Sequence, residues 1–235
     1  MTKLVLNKAI FESNSAMQFC LNSHFQRELC YEPSHLQSLC KIFPITLAKF
    51  VRLKVSVAES LMNDETLGEV HIIYIPRDPR ATMHSRWNVI KWCKGPECDR
   101  EAVLCEDMDT DLTNLYALRK EYPDRVHMLR YEDITIQPKN MTPKMLDVFN
   151  LDFSDEIQHY LEEHTTIDLQ RKTYRLSERR VWGWTNEMEW NQVQKVQEVC
   201  SDVMERFGYI PATDENITYS KTIRPFPDAE QFSLF

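Results

Sequence analysis

The sequence predicts an α/β fold in which a parallel sheet is covered by helices on both faces. Two apolar segments are predicted to be strands, VHIIYI at 70–75 and VHMLRY at 126–131, and a helical segment follows each of them. Strands that alternate with helices are typical of parallel sheets with two covered faces. Ligands of such sheets bind beyond the carboxyl ends of the strands, so the residues that follow the two strands are the first candidates for a site.

The predicted helices follow start and stop signals along the chain. Asp78 followed by Pro79 is a helix start, with an N-cap acceptor and then a proline at the first helical position. Gly208 is a helix stop. The predicted helices lie at the end of 49–63, at 79 to about 92, at about 105–121, from Thr142-Pro143 onward, at 155–164 after a Ser154 cap, and at 188–207. The last of these carries an apolar stripe that includes Trp190, Val199 and Cys200.

The bulk composition limits the class of function. The chain has 235 residues, a formal net charge of −8 and 43% hydrophobic residues, which suits one compact domain with a real core. An acidic chain is not expected to bind nucleic acid as its main task. Only four glycines are present, and neither GxxxxGK[ST] nor GxGxxG occurs, so the sequence contains no glycine-rich phosphate loop.

The cysteines leave two interpretations open. None of the seven forms a CxxC pair, so no standard zinc pattern is present. In the first interpretation the cysteines are free buried thiols of a cytosolic protein. In the second they form disulfides in a secretory-pathway protein. Two glycosylation sequons, at Asn140 and Asn216, favour the second interpretation. A local disulfide is then expected among Cys93, Cys98 and Cys105, and Cys200 is expected to be buried or bridged.

The stretch IPRDPRATMHSR at 75–86 indicates an anion site. A helix that starts at the end of a strand presents unpaired N–H groups and the positive end of its dipole. Arg77 adds a planar set of donors suited to phosphate or sulfate, and Ser85 lies about two turns into the predicted helix. The alternative is that Arg77, Asp78 and Arg80 form a salt-bridge cluster on the surface.

These residues resemble the Golgi carbohydrate sulfotransferases, in particular the branch that sulfates the 6-hydroxyl of galactose, GlcNAc or GalNAc. The resemblance covers roughly residues 16–211. It rests on VHIIYIPRDPRATMHSR, on KFVR at 49–52, on LCEDM and MLRYEDI around 104–134, and on Trp184, Met188, Val193, Cys200 and Gly208-Tyr209. It implies a P-loop-like parallel sheet, with a sulfotransferase domain at 1–211 and a loosely ordered tail at 212–235.

The resemblance also implies a chemistry. The donor would be 3′-phosphoadenosine 5′-phosphosulfate (PAPS), with Arg77 and Ser85 holding its 3′-phosphate. The acceptor would be a sugar hydroxyl of a glycan or proteoglycan, and no metal would be needed. The enzyme would act in the Golgi lumen, where the family's full-length forms are held by a membrane anchor. The oligomeric state is not indicated.

The chain departs from the family pattern at several positions. The loop that binds the 5′-phosphosulfate, the strand before it and the membrane anchor are not found in these 235 residues. Thr185 replaces an arginine and Pro76 an aliphatic residue. The sequence is therefore expected to be the C-terminal portion of a longer enzyme, with the first central strand missing. The alternatives are a catalytically inactive relative that binds nucleotide or glycan and, from the strand–helix pattern alone, a fragment of a nucleotide kinase.

Other polar residues are weaker candidates. His84, Glu106 and Asp107 could act as a base, but surface or capping roles are the more common explanation, and no catalytic base is named. Glu132 and Asp133 follow the second strand and are expected to be turn or capping residues. The basic run RKTYRLSERR at 171–180 could line a cleft for an anion. Trp182, Trp184 and Trp190 are expected to dock helices, with sugar stacking a possible role for Trp182.

Overall fold

The computed structural model describes residues 20, 22, 30, 32–42, 44–89, 93–166, 181–213 and 222–224. The backbone divides into two compact units, Met1–Arg52 and Leu53–Phe235. In the first unit, helix α1 spans Pro33–Cys40. A disulfide joins Cys20 to Cys30 in the same unit.

The second unit holds the predicted alternation of strands and helices. Strand β1 is Ile72–Tyr74 and strand β2 is Val126–Met128. The helices are α2 Val55–Met62, α3 Pro79–His84, α4 Glu101–Glu121, α5 Tyr131–Ile136, α6 Pro138–Asp147, α7 Asp155–Thr166, α8 Trp184–Glu187, α9 Trp190–Val199 and α10 Ser201–Phe207. A 3₁₀ turn lies at Glu65–Leu67, and a π-helical segment, Ser85–Val89, follows α3.

The two strands pair in parallel, with Ile73 opposite His127. Their side chains alternate between two faces. Ile72 and Tyr74 pack on one core with α2, α4 and α10, whereas Ile73 packs against Leu129 and Met141 on the other side. The predicted α/β class with helices on both faces of a parallel sheet is therefore confirmed. The missing central strand and the domain boundary at 211 stay predictions.

Helix boundaries differ from the prediction at several places, among them the starts of α4 and α6. Helix α4 begins at Glu101, four residues before the predicted start, because the chain already turns at Gly95 to Asp99. Helix α6 begins at Pro138 and continues through Pro143, which was expected to start it. A proline inside a helix removes one backbone bond, here to the carbonyl of the exposed Lys139, where water can replace the lost donor.

The predicted long helix at 188–207 is divided at Cys200, which leaves helical geometry with φ −105° and ψ 13°. Most of the predicted stripe is buried, including Val196 and Met204. Val199 is the exception, since 42% of it is exposed. Gly208 ends α10 in the left-handed conformation, as predicted.

Two disulfides cross-link the second unit. Cys93 pairs with Cys98 inside one loop, and this confirms the predicted local bridge. Cys105 on α4 pairs with Cys200 at the break between α9 and α10. Both pairs are almost fully buried. Disulfides are typical of oxidising compartments, so the pairing favours the secretory-pathway interpretation of the cysteines.

Within the part of the chain that the structure describes, none of the helices combines the length and apolarity needed to cross a membrane.

The two disulfides predict different losses of stability. In the loop-entropy model, a bridge across 95 residues contributes about 4 to 5 kcal/mol, and one across 5 residues about 2 kcal/mol. We therefore expect Cys105→Ala/Cys200→Ala to lower the free energy of unfolding in urea about twice as much as Cys93→Ala/Cys98→Ala. Equal losses would mean that the disulfides stabilise the protein mainly through packing in the folded state and not by restricting the unfolded chain.

Two histidine rings stack next to the sheet. His71 precedes β1 and His127 lies in β2, with ring centroids 5.9 Å apart, and Phe149 meets both rings edge-on. His127 is only 2% exposed. Burial, the Arg119 guanidinium and His71 together lower the pKa of His127 to about 4. The folded protein therefore keeps His127 neutral through the mildly acidic range.

This depressed pKa predicts acid sensitivity. An unfolded histidine gains its proton near pH 6.5, whereas folded His127 gains it only near pH 4. Stability should fall as pH drops from about 6.5 to 4, by on the order of 2 to 3 kcal/mol. His127→Gln should flatten this slope in urea unfolding measured across that range. The control is His159→Gln, since the His159 side chain is 72% exposed and should leave the slope unchanged.

Candidate functional site

The RDPR segment at 77–80 and the RYED segment at 130–133 meet beyond the carboxyl ends of the two strands. The parallel backbone pairing continues past the strands, because Leu129 N–H donates to the Tyr74 carbonyl at 3.1 Å and Tyr131 N–H to the Pro76 carbonyl at 2.8 Å. The two motifs are thus held side by side by main-chain bonds. This is the edge of the sheet where a ligand was expected.

Each motif contains an internal ion pair, which is buried in the first motif and partly buried in the second. Asp78 accepts from Arg80 Nη2 at 2.7 Å and from Arg80 Nε at 3.0 Å. Asp133 accepts from Arg130 Nε at 2.7 Å and from Nη2 at 3.0 Å. Arg80 is 0% exposed and Arg130 only 3% exposed. The alternative of a surface salt-bridge cluster around Asp78 and Arg80 is therefore wrong, since this pair lies inside the protein.

Glu132 connects the two motifs. Its Oε1 accepts the backbone N–H of Asp78 at 3.0 Å, and its Oε2 accepts the Tyr209 hydroxyl at 2.9 Å. It is 1% exposed, and burial together with the nearby Asp78 charge raises its pKa to about 7. The expectation of a simple turn or capping residue missed this long-range role. The only sequence signal was an acidic residue directly after an apolar strand.

The motif arginines also hold the C-terminal part of the chain. Arg80 Nη1 donates to the Ile210 carbonyl at 2.9 Å, and Arg130 Nη1 donates to the carbonyls of Phe207 at 2.9 Å and Arg224 at 2.8 Å. Residues 222–224 run antiparallel to 208–210, with Tyr209 opposite Ile223. The segment 222–224 is therefore bonded to the motif core, although it belongs to the region that was expected to be a loosely ordered tail.

Arg77 has a different environment from Arg80. Its guanidinium lies 4.9 Å from the centroid of the Tyr131 ring, and the residue is only partly buried. Its positive charge also contributes to lowering the pKa of His84, after the larger effect of burial. Arg77 is therefore near His84, the residue that precedes Ser85. The structure does not fix a direct contact between Arg77 and Ser85.

Three N–H groups around the start of α3 are already bonded. The Asp78 N–H donates to Glu132, the Arg80 N–H to the Asp78 side chain at 2.8 Å, and the Thr82 N–H to the Asp78 carbonyl at 2.9 Å. Pro79 has no N–H to offer. These three groups are therefore not the unpaired donors that were expected at this helix start.

Ser85 is the first residue of the π-helical segment and is half-buried. Two residues of that segment hold the next loop: Arg86 donates to the Cys98 carbonyl at 2.9 Å, and the Trp87 indole N–H to the Asp99 carbonyl at 2.8 Å. The π-helical segment was not predicted. Such segments are frequent at functional sites, because they change the direction of the side chains that follow.

The candidate bases have structural partners. His84 is buried and lies 3.2 Å from Glu187, and burial lowers its pKa. Asp107 pairs with Lys54 at 2.9 Å. Glu106 and Asp107 line a polar hollow of about 340 Å³ that neither Arg77 nor Ser85 borders. These positions do not single out a catalytic base.

The tryptophans behave largely as expected. Trp184 is 2% exposed and packs with Ala81 and Val193, and Trp190 packs against the same cluster. The Arg80 guanidinium lies 4.5 Å over the Trp184 ring. A sugar-stacking role for Trp182 stays a prediction. The basic run at 171–180 lies outside the described residues.

The sequence comparisons agree with this geometry. A family model described as the sulfotransferase domain matches residues 58–208. The match covers more than half of the chain and includes both motifs, so the chain belongs to the sulfotransferase domain family.

The curated relatives that the chain resembles are carbohydrate sulfotransferases. The chain is 23% identical over 209 residues to carbohydrate sulfotransferase 3 of Tetronarce californica, covering 80% of this chain and 45% of the relative. It is 21% identical over 202 residues to carbohydrate sulfotransferase 4 of Mus musculus, covering 74% and 51%. The family prediction is confirmed. The chain spans about half the length of the curated relatives that it matches.

The buried Asp78–Arg80 pair predicts a large stability effect. Arg80→Ala would leave the Asp78 carboxylate buried without its partner, and we expect a loss of about 3 to 5 kcal/mol in the free energy of unfolding. Lys139→Ala is the control, since it breaks an exposed ion pair with Glu162 at 2.7 Å and should change little. Urea denaturation of both variants measures the difference, and similar small losses would contradict the inferred role of Arg80.

Proposed function

We propose that this protein carries out sulfuryl transfer from PAPS to a sugar hydroxyl, with Arg77 and Ser85 binding the 3′-phosphate of the donor. The observation that carries the proposal is the position of Arg77, a partly buried guanidinium at the carboxyl end of β1. Membership of the sulfotransferase domain family supports the reaction class.

The side chains fit the ligand. Asp78, Arg80 and Arg130 are bonded in the protein interior, whereas Arg77 lies over Tyr131 near the start of the π-helical segment. A guanidinium offers a planar fork of donors that matches a phosphate, and a serine hydroxyl adds one more. The Tyr131 ring supports the guanidinium on one face and leaves its edge to donate.

In sulfuryl transfer, the protein is needed mainly to position the donor and the acceptor, and it forms no covalent bond with either of them. A sulfur–oxygen bond to the nucleotide phosphate breaks, a sulfur–oxygen bond to the sugar forms, and the hydroxyl proton passes to a base. By analogy with phosphoryl transfer, most of the acceleration comes from alignment of the two oxygens and stabilisation of charge. The part assigned to Arg77 and Ser85 is to fix the nucleotide so that its other end is aligned.

The relatives and the cysteines support a proposal for the acceptor and the compartment. We propose a glycan acceptor, with the 6-hydroxyl of galactose, GlcNAc or GalNAc as the position to test first. We also propose the Golgi lumen as the place of action. The disulfides Cys93–Cys98 and Cys105–Cys200 support a lumenal location, because such bonds persist in oxidising compartments.

Binding of adenosine 3′,5′-bisphosphate tests the donor site. We expect Arg77→Ala to weaken the affinity measured by calorimetry at least about tenfold, which corresponds to the loss of one charge-assisted contact. Ser85→Ala should have a smaller effect in the same direction. Arg125→Ala is a matched control, because Arg125 also stacks on a tyrosine, at 4.6 Å from Tyr122, but precedes β2 at the opposite end of the sheet.

The outcomes separate the possible roles. If Arg77→Ala binds the bisphosphate as tightly as the unaltered chain does, Arg77 is not part of the donor site. Transfer of radiolabelled sulfate from PAPS to a panel of galactose-, GlcNAc- and GalNAc-terminated glycans then tests the reaction. Bisphosphate binding without transfer to any acceptor would support the alternative of an inactive binding protein.

A further inference from the structure

We propose that Glu132 is a positioning residue of the donor site, acting through the peptide unit that joins Arg77 to Asp78. The inference rests on the proposed function, since it assigns how Arg77 is held for the nucleotide phosphate. None of the roles described for the motif arginines requires Glu132.

The first argument is the bond to the backbone. The N–H that Glu132 Oε1 accepts at 3.0 Å belongs to the peptide unit between Arg77 and Asp78, so the carboxyl group fixes the plane of that peptide. Pro79 restricts the backbone directly after it. Because the peptide unit between Arg77 and Asp78 and the backbone at Pro79 are both restricted, Glu132 sets the direction in which the Arg77 side chain leaves the main chain.

The second argument is the neighbouring ring. Tyr131, next to Glu132 in sequence, places its ring 4.9 Å from the Arg77 guanidinium and donates its own N–H to Pro76. Two consecutive residues at the start of α5 therefore hold the main chain and the side chain of Arg77. A shift of Glu132 would move both supports together.

The third argument is that Glu132 is itself anchored. Its second oxygen accepts the Tyr209 hydroxyl at 2.9 Å, and both residues are buried. Tyr209 is paired with Ile223 and follows α10. The Tyr209 hydroxyl thus fixes the Glu132 carboxyl group, and the fixed carboxyl group in turn fixes the position of the Asp78 N–H.

The charges around Glu132 give the role a measurable signature. Asp78 and the Tyr209 hydroxyl face it directly, and Arg130, paired with Asp133, lies close to Tyr209. Burial and Asp78 place the pKa of Glu132 at about 7. Above that pH the carboxyl group adds a negative charge one peptide away from Arg77. A bound phosphate should therefore favour the protonated form, and affinity should decline as pH rises through 7.

The experiment compares two variants with the unaltered chain in adenosine 3′,5′-bisphosphate calorimetry between pH 6.5 and 8. Glu132→Ala removes the acceptor of the Asp78 N–H and should weaken binding about tenfold. Glu132→Gln keeps an oxygen acceptor without a titrating charge. This variant should bind the bisphosphate as tightly as the unaltered chain does at pH 6.5, and its affinity should not decline above pH 7. Circular dichroism at the assay temperature checks that each variant is folded.

Each result decides the proposal. A glutamine variant that matches the affinity of the unaltered chain at pH 6.5 and has a flat pH profile supports the proposal. These two results do not depend on whether the alanine variant folds. A glutamine variant that keeps the original pH profile overturns it, as does a folded alanine variant with unaltered affinity. If the unaltered chain binds no bisphosphate, or if Arg77→Ala has no effect, the donor site itself is wrong; if only the Glu132 variants have no effect, the positioning role alone is wrong.

Discussion

The structure beyond the two strands depends on giving partners to the charged groups that it buries most deeply, which are Asp78, Arg80, Arg130 and Glu132. Asp78 and Asp133 each take two donors from an arginine of their own motif, and Glu132 takes a backbone N–H from one motif and a hydroxyl from Tyr209. A buried carboxylate without such partners would cost several kcal/mol. The strand-end loops can therefore adopt only the arrangement in which all of these groups are satisfied together.

This constraint explains why similar-looking residues have different roles. Arg77 and Arg80 are three positions apart in one motif, yet Arg80 is inside the protein and Arg77 is at its border. The proline between them starts α3 and directs the chain inward, so Arg80 packs on Trp184 while Arg77 stays over Tyr131. Arg80, which is bonded in the interior, supports the strand-end loops, and Arg77 at the border is the arginine of this motif that we propose for ligand binding.

The sequence was sufficient for the strands, the parallel class, the cap at Asp78, the stop at Gly208 and the family, because each rests on a local pattern. It was not sufficient for contacts between distant segments. Glu132 bonds to Asp78, which lies 54 residues away in sequence, and to Tyr209, which lies 77 residues away. No sequence periodicity connects positions that far apart. The use of the helix-start N–H groups was also misjudged, since Glu132 accepts one of them. Arg77 and Ser85 remain candidates on chemistry and resemblance.

The position of residues 222–224 has a consequence for how the protein is made. Arg130 reaches its final carbonyl acceptor only at Arg224, and Arg80 bonds to the carbonyls of Ile210 and Thr222. During translation, the sheet and both motifs emerge from the ribosome long before these acceptors exist. Arg130 and Arg80 can form these bonds only after residues 222–224 have been synthesised and have left the exit tunnel. Completion of the charged interior therefore comes after the synthesis of both motifs, and a nascent chain stalled before residue 224 would lack these acceptors.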